Sequence, residues 1–122
     1  MSLMNTAQLH LLERFLDLTA QRQALLSSNI ANIDTPGYHT RDIDFAHELQ
    51  RSLTADDDSA AAVTPFVREV PGLIDRPDGN NVDIDRESLL MASNQLQFQT
   101  EVSLLRSEFN RLQSAINGGS GQ

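Results

Sequence analysis

Oxygen-bearing side chains are densest in Asp75-Arg76-Pro77-Asp78-Gly79-Asn80-Asn81-Val82-Asp83-Ile84-Asp85, which invites comparison with a calcium loop. The spacing fails. With Gly79 at the sixth position of an EF-hand loop, the first, third and fifth ligand positions fall on Ile74, Arg76 and Asp78. A turn at Asp78-Gly79 and a helix cap at Asp83 or Asp85 account for the same residues. His10, His39 and His47 show no ligand spacing such as two His four apart on one helix, so neither a metal nor a general base is expected from them. Asp56-Asp57-Asp58 reads as a solubilising linker, because neighbouring like charges repel and extend a chain. Ser27 and Ser28 have no nucleophile elbow, base or oxyanion hole near them in sequence. With no Cys in the chain, disulfides, thiolate zinc sites and cysteine nucleophiles are excluded together. No enzyme, cofactor, metal or small-molecule substrate is expected.

The elements that would position any site follow from length and charge. At 122 residues one small domain is expected, and 39% hydrophobic with 5% aromatic content predicts an aliphatic core. The net charge of −8 is uneven: residues 1–37 carry −1, residues 38–88 carry −7 and the remainder is neutral. Every basic residue is Arg, and this acidic balance is wrong for nucleic acid or anionic lipid. The first 22 residues contain Glu13, Arg14, Asp17 and Arg22, so no secretory signal is legible there, and Met4 reads as the natural start. No apolar run reaches the roughly 20 residues of a membrane span.

Two nearly neutral arms flank the acidic middle, and both predict helices. In the first, over 5–33, Leu9, Leu12, Leu16, Thr19, Gln23, Leu26, Ile30 and Ile33 follow alternating three- and four-residue steps, with Leu11, Phe15, Leu18 and Leu25 widening the face. In the last, over 86–117, Phe98, Val102, Leu105, Phe109, Leu112 and Ile116 keep the same spacing, with Met91 a heptad upstream and Leu89, Leu96 and Leu104 beside them. Asp85 is placed to cap this helix, Ile84 and Leu89 to staple it, and Gly118-Gly119 to stop it. Each arm would be on the order of 45 Å long. The expected fold is all-α, an elongated antiparallel pair of long terminal helices in one domain, with a turn, a short helix and an acidic loop over 34–85. The short helix should run from Asp42 to Leu53, capped by Asp44, with Phe45, Ala46, Leu49 and Leu53 inward. Residues 54–62 read as a linker, and 63–70 as a short extended segment interrupted by Pro65.

The first arm ends in Ser27-Ser28-Asn29-Ile30-Ala31-Asn32-Ile33-Asp34-Thr35-Pro36-Gly37-Tyr38. The helix must stop before Pro36, and Pro36-Gly37 suits the centre of a type II turn. Asn29 and Asn32 lie near that end, where their amides can bond the last free carbonyls or a neighbouring chain.

The run Asn29, Ala31, Asn32, Thr35, Pro36, Gly37 and Tyr38 resembles the signature of the flagellar rod and hook axial proteins. The likeness extends to Arg22-Gln23-Ala24-Leu25-Leu26, to Arg41-Asp42-Ile43-Asp44-Phe45 and to Gly79-Asn80-Asn81-Val82-Asp83-Ile84-Asp85-Arg86-Glu87, leaving 54–70 unmatched. Ser88 stands where the family commonly has Met, and Phe98 where it often has Tyr. The resemblance implies a structural subunit of the bacterial flagellar rod, exported without cleavage by the flagellar type III apparatus. It also implies that the terminal helices pack as an inner coiled-coil layer. The members matched most fully sit at the cell-proximal end, beside other rod proteins, the membrane-ring protein and the small adaptor joining ring to rod. Two helices alone leave apolar sides uncovered, so arms that gain order on assembly are expected. The alternative expectation is a soluble coiled-coil adaptor or secretion chaperone masking a partner's apolar helix.

Overall fold

The computed structural model describes residues 6–54 and 64–120. The order is α1 (Thr6–Ala31), β1 (Arg41–Ile43), α2 (Phe45–Thr54), β2 (Val67–Glu69) and α3 (Ile84–Ser120). The long helices pair antiparallel: Asn29 bonds Glu87, Gln23 bonds Asn94 and Thr19 bonds Glu101, the numbers falling along one helix as they rise along the other. With 26 and 37 residues, α1 and α3 span about 39 and 56 Å. Continued in the same register, Thr6 lies opposite the turn holding Leu112, so α3 runs on past the first described residue of α1. The acidic triplet Asp56-Asp57-Asp58 and the rest of 55–63 lie outside the described residues.

The termini of these elements differ from expectation for local reasons. α1 ends at Ala31, where the Asn32 amide folds back and donates to Ser28 O at 2.8 Å. α3 begins earlier than expected because its cap is Asp83, whose carboxylate accepts from the Asp85 and Arg86 amides at 3.0 and 3.3 Å. Ile84 and Leu89, the expected staple, both stand exposed. At the other end α3 continues through Gly118 and Gly119 to Ser120, glycine permitting a left-handed stop without enforcing it.

The middle is an antiparallel two-stranded ladder and a short helix. Arg41, Asp42 and Ile43 pair with Glu69, Arg68 and Val67, which takes Asp42 and Ile43 out of the helix expected from Asp42. Asp44 caps α2 as expected, accepting from the His47 amide at 3.2 Å. Phe45 meets Phe15 edge to face at 4.8 Å, which seats α2 on α1. Ala46 and Leu53 do not face inward; the inner position belongs to Glu48, which is buried and accepts from Arg51 at 2.7 Å and from the Phe66 amide at 3.1 Å. The Arg51 guanidinium lies over the Phe66 ring at 4.4 Å.

The core departs most from an aliphatic seam. Among the described residues the buried apolar side chains are Leu18, Leu26, Ile43, Pro65 and Val82, fewer than the buried polar ones. Along α3 the inward row is Glu87, Asn94, Glu101 and half-buried Glu108, one residue per heptad. No helix among the described residues is long and apolar enough to cross a membrane.

Candidate functional site

The end of α1 is tied to the approach to α3 by a set of matched polar groups. Asn29 is fully buried and uses all its capacity: Oδ1 accepts from Tyr38 Oη at 2.8 Å and from the Arg41 amide at 3.1 Å, while Nδ2 donates to Arg41 O at 2.8 Å and to Glu87 at 2.9 Å. One amide therefore joins α1, β1, the signature turn and the first turn of α3. Asn80 does the same from the other side, donating to Asn32 O and Thr35 O, both at 2.9 Å, while its own Oδ1 accepts from the Val82 amide at 2.8 Å. Asn81 Oδ1 accepts from the Thr40 amide at 2.6 Å, and the Asn81 amide donates to Tyr38 O at 3.2 Å. Arg76 donates to Ile33 O, one of the carbonyls left free where α1 ends.

Two glycines let the strands of this knot approach. The Tyr38 amide closes on Thr35 O at 3.2 Å with Gly37 at φ +74°, the type II turn that Pro36-Gly37 predicts. Gly79, at φ +84°, lies against it, where an added Cβ would stand 3.3 Å from the Gly37 Cα. The Gly37 amide donates across this contact to Asp78 O at 2.9 Å. Ala31, Thr35, Pro36 and Gly37 are exposed, Asn32 and Tyr38 half-buried. Most of the polar signature side chains are thus consumed inside the chain, Thr35 included through its 3.0 Å bond to Asn32.

A charge cluster adjoins the knot. Arg22 clasps Asp42 with two bonds of 3.0 Å, and Arg86 stands 3.6 Å from Asp42 and 2.6 Å from buried Glu87. Two carboxylates face two guanidiniums, so the group is neutral as a whole and each charge is compensated. On the outer side His39 lies 3.2 Å from Glu69 and 3.8 Å from Asp75; the hydrogen bond to Glu69, then the two negative charges, raise its pKa.

Towards the open end the seam is less completely matched. Asn94 donates to Thr19 O at 3.0 Å and Gln23 at 2.9 Å, but its buried Oδ1 has no partner among the described residues. Glu101 is buried with Thr19 Oγ1 3.0 and 3.1 Å from its oxygens, yet that single hydroxyl proton also points to Phe15 O at 2.7 Å. Burial raises the Glu101 pKa, against the opposing hydrogen bonds from Thr19 and Gln97.

The expected packing stripes divide across these surfaces. Leu26 is buried; Leu9, Leu12, Leu16, Ile30, Val102, Leu105 and Leu112 are half-buried. Phe98, Phe109 and Ile116 are exposed along one flank of α3, Ile116 by 70%, and Leu89 and Leu96 stand on its outer side. Among the described residues no group of three or more His, Cys, Asp or Glu is placed to hold a metal ion. Glu87, Asn94 and Glu101 escape a search for apolar periodicity; their own seven-residue spacing is the sequence signal that finds them.

A knot built on the Asn29 to Tyr38 run closes one end of a long hairpin, and comparison with known sequences places the chain among the structural proteins of the flagellar rod. The sequence model described as flagella basal body rod protein matches residues 16–39, which include most of the knot's first strand. The chain belongs to the FlgB family of flagellar basal body rod proteins. The flagellar basal body rod protein FlgB of Escherichia coli is 39% identical, the match covering 93% of this chain and 95% of the relative. The Salmonella typhimurium protein of the same name is 36% identical over the same shares, and that of Yersinia enterocolitica is 36% identical over 85% of this chain and 89% of its own.

Proposed function

We infer that this chain is a non-catalytic structural subunit of the proximal flagellar rod, joining its neighbours through α3 and linking the membrane ring to the distal rod so that torque passes along it. The observation that carries this reading is the outward apolar set of α3, including Leu89, Leu96, Phe98, Phe109 and Ile116, on a helix whose inner row is already committed to α1. These side chains lie on two sides of the helix, Leu89 and Leu96 outward and Phe98, Phe109 and Ile116 along a flank, so α3 offers apolar surface to more than one neighbour, and heterologous contacts of that kind generate an open helical assembly. The signature residues Asn29, Asn32, Gly37 and Tyr38 serve assembly indirectly, by fixing how α1 and α3 leave the knot. Partners on this reading are other rod proteins, the ring-to-rod adaptor, the membrane-ring protein and, in transit, the type III export apparatus.

The test is circular dichroism with sedimentation velocity across a concentration series, alone and with candidate neighbouring rod and adaptor proteins. Open-ended co-assembly with a rise in helicity is the expected result. A closed complex of fixed stoichiometry with one partner would replace this reading by a chaperone or adaptor.

A further inference from the structure

Beside the seam, α1 and α3 leave a groove of about 350 Å³ walled by Leu11, Leu12, Phe15 and Leu104, with Glu101 and Glu108 set into it. It is an apolar trough whose charged side chains are both acidic, and none of its described lining residues is basic. Glu108 is engaged from outside by Arg111 at 3.2 Å, an exposed contact within the helix. Among the described residues, the neutral Thr19 and Gln97 alone bond Glu101, which is 98% buried. The other buried carboxylates differ: Glu48 has Arg51, Glu87 has Arg86 and Asp42 has Arg22.

We propose that this groove receives an amphipathic helix of a neighbouring, non-identical subunit, whose apolar residues fill the trough and whose Arg or Lys pairs with Glu101. A buried carboxylate facing an apolar trough is compensated when a cation arrives with the apolar surface that covers it, since charge-assisted bonds strengthen as water leaves. The occupant is basic because the groove is acidic, and it is a different chain because neither long helix of this one is basic, α1 being neutral and α3 carrying a charge of −1. The inference rests on the rod-subunit reading and names the chemistry of one of its contacts.

The experiment uses the whole chain and two helical peptides of about 20 residues, long enough to fold on binding, with Leu at the apolar positions and either Arg or Gln once per heptad. The Arg peptide is expected to bind at least about tenfold more tightly, the worth of one charge-assisted bond. Glu101→Gln, which keeps the side-chain shape, should abolish that preference. Leu104→Gln, at an exposed wall position, should weaken both peptides. Equal binding of the two peptides, or a preference that survives Glu101→Gln, overturns the proposal, as does displacement of the Arg peptide by a second copy of this chain. Co-assembly with rod proteins measured in parallel separates the two readings: assembly that persists while the Arg preference is missing removes this contact and leaves the rod reading standing.

Discussion

The two ends of the hairpin are made by the same pair of helices, yet their polar groups are treated in opposite ways. At the base, Asn29 and Asn80 use their amides fully, and Asp42 and Glu87 share Arg22 and Arg86. Towards the open end, Asn94 keeps a buried oxygen without a partner and Glu101 competes with Phe15 O for one hydroxyl proton. Exposed apolar side chains occur at both ends of α3, Ile84 and Leu89 beside the base and Phe109 and Ile116 beyond it, so the contrast lies in the polar groups. A buried, fully bonded network fixes one geometry, because any alternative strands a donor or acceptor at about 1–3 kcal/mol each. The base therefore specifies the shape of the subunit, and the open end holds surface in reserve for whatever completes it.

Substitutions can break this contrast at its strong side first. Asn29→Ala removes one of the two partners of the Glu87 carboxylate, strands the Tyr38 hydroxyl and both backbone groups of Arg41, and is expected to cost about 3–4 kcal/mol in urea unfolding followed by circular dichroism. A cost below about 1 kcal/mol would mean that the base is no more fixed than the rest. Asp42→Asn leaves Arg22 and Arg86 facing each other without their anion, and a loss of about 2–3 kcal/mol is expected by the same measurement. Gly79→Ala meets both a left-handed backbone and the Gly37 Cα, for about 1–2 kcal/mol.

At the open end the effects should be smaller and different in kind. Because the Glu101 pKa is raised in the folded state, that state holds its proton more tightly, and stability contributed by this group falls as pH rises above its ordinary value of 4.5. Glu101→Gln should therefore flatten the decline of stability from mildly acid to neutral pH, seen as converging thermal midpoints across a pH series. Ile116→Gln, on the exposed flank, should alter folding by no more than about 0.5 kcal/mol while weakening co-assembly measured by sedimentation. An equal loss of folding stability there would erase the distinction between the two ends.

The helices were legible because three- and four-residue spacing is written in Leu9 to Ile30 and Phe98 to Ile116, and the turn because Pro36-Gly37 leaves little choice. The cap at Asp83 was harder to place, since Asp85 lies two residues on with the same chemistry. Strands of three residues such as Arg41–Ile43 carry too short an alternation to register, and this one exists because β2 returns from far along the chain. The knot illustrates the main gap. Asn80 and Asn81 stand in the sequence only as oxygen-bearing neighbours of the Asp78-Gly79 turn, and only the fold shows that they complete hydrogen bonds with Asn32, Thr35 and Thr40, some 40 residues earlier. Apolar periodicity likewise assigned Phe98 and Phe109 to the face that Glu101 and Asn94 occupy, because a polar seam leaves no hydrophobic trace.

The contact of Gly37 with Gly79, reinforced by Asn80 on Asn32 and Thr35, closes the neck of the long excursion between the two helices. Chain inserted after α2 and before β2 then adds only loop-closure entropy, about 0.6 kcal/mol for each doubling of length, and leaves the hairpin's register alone. The neck turns the middle of this subunit into a port for grafting: a tag or reporter spliced there can change length and composition while the two helices keep their alignment.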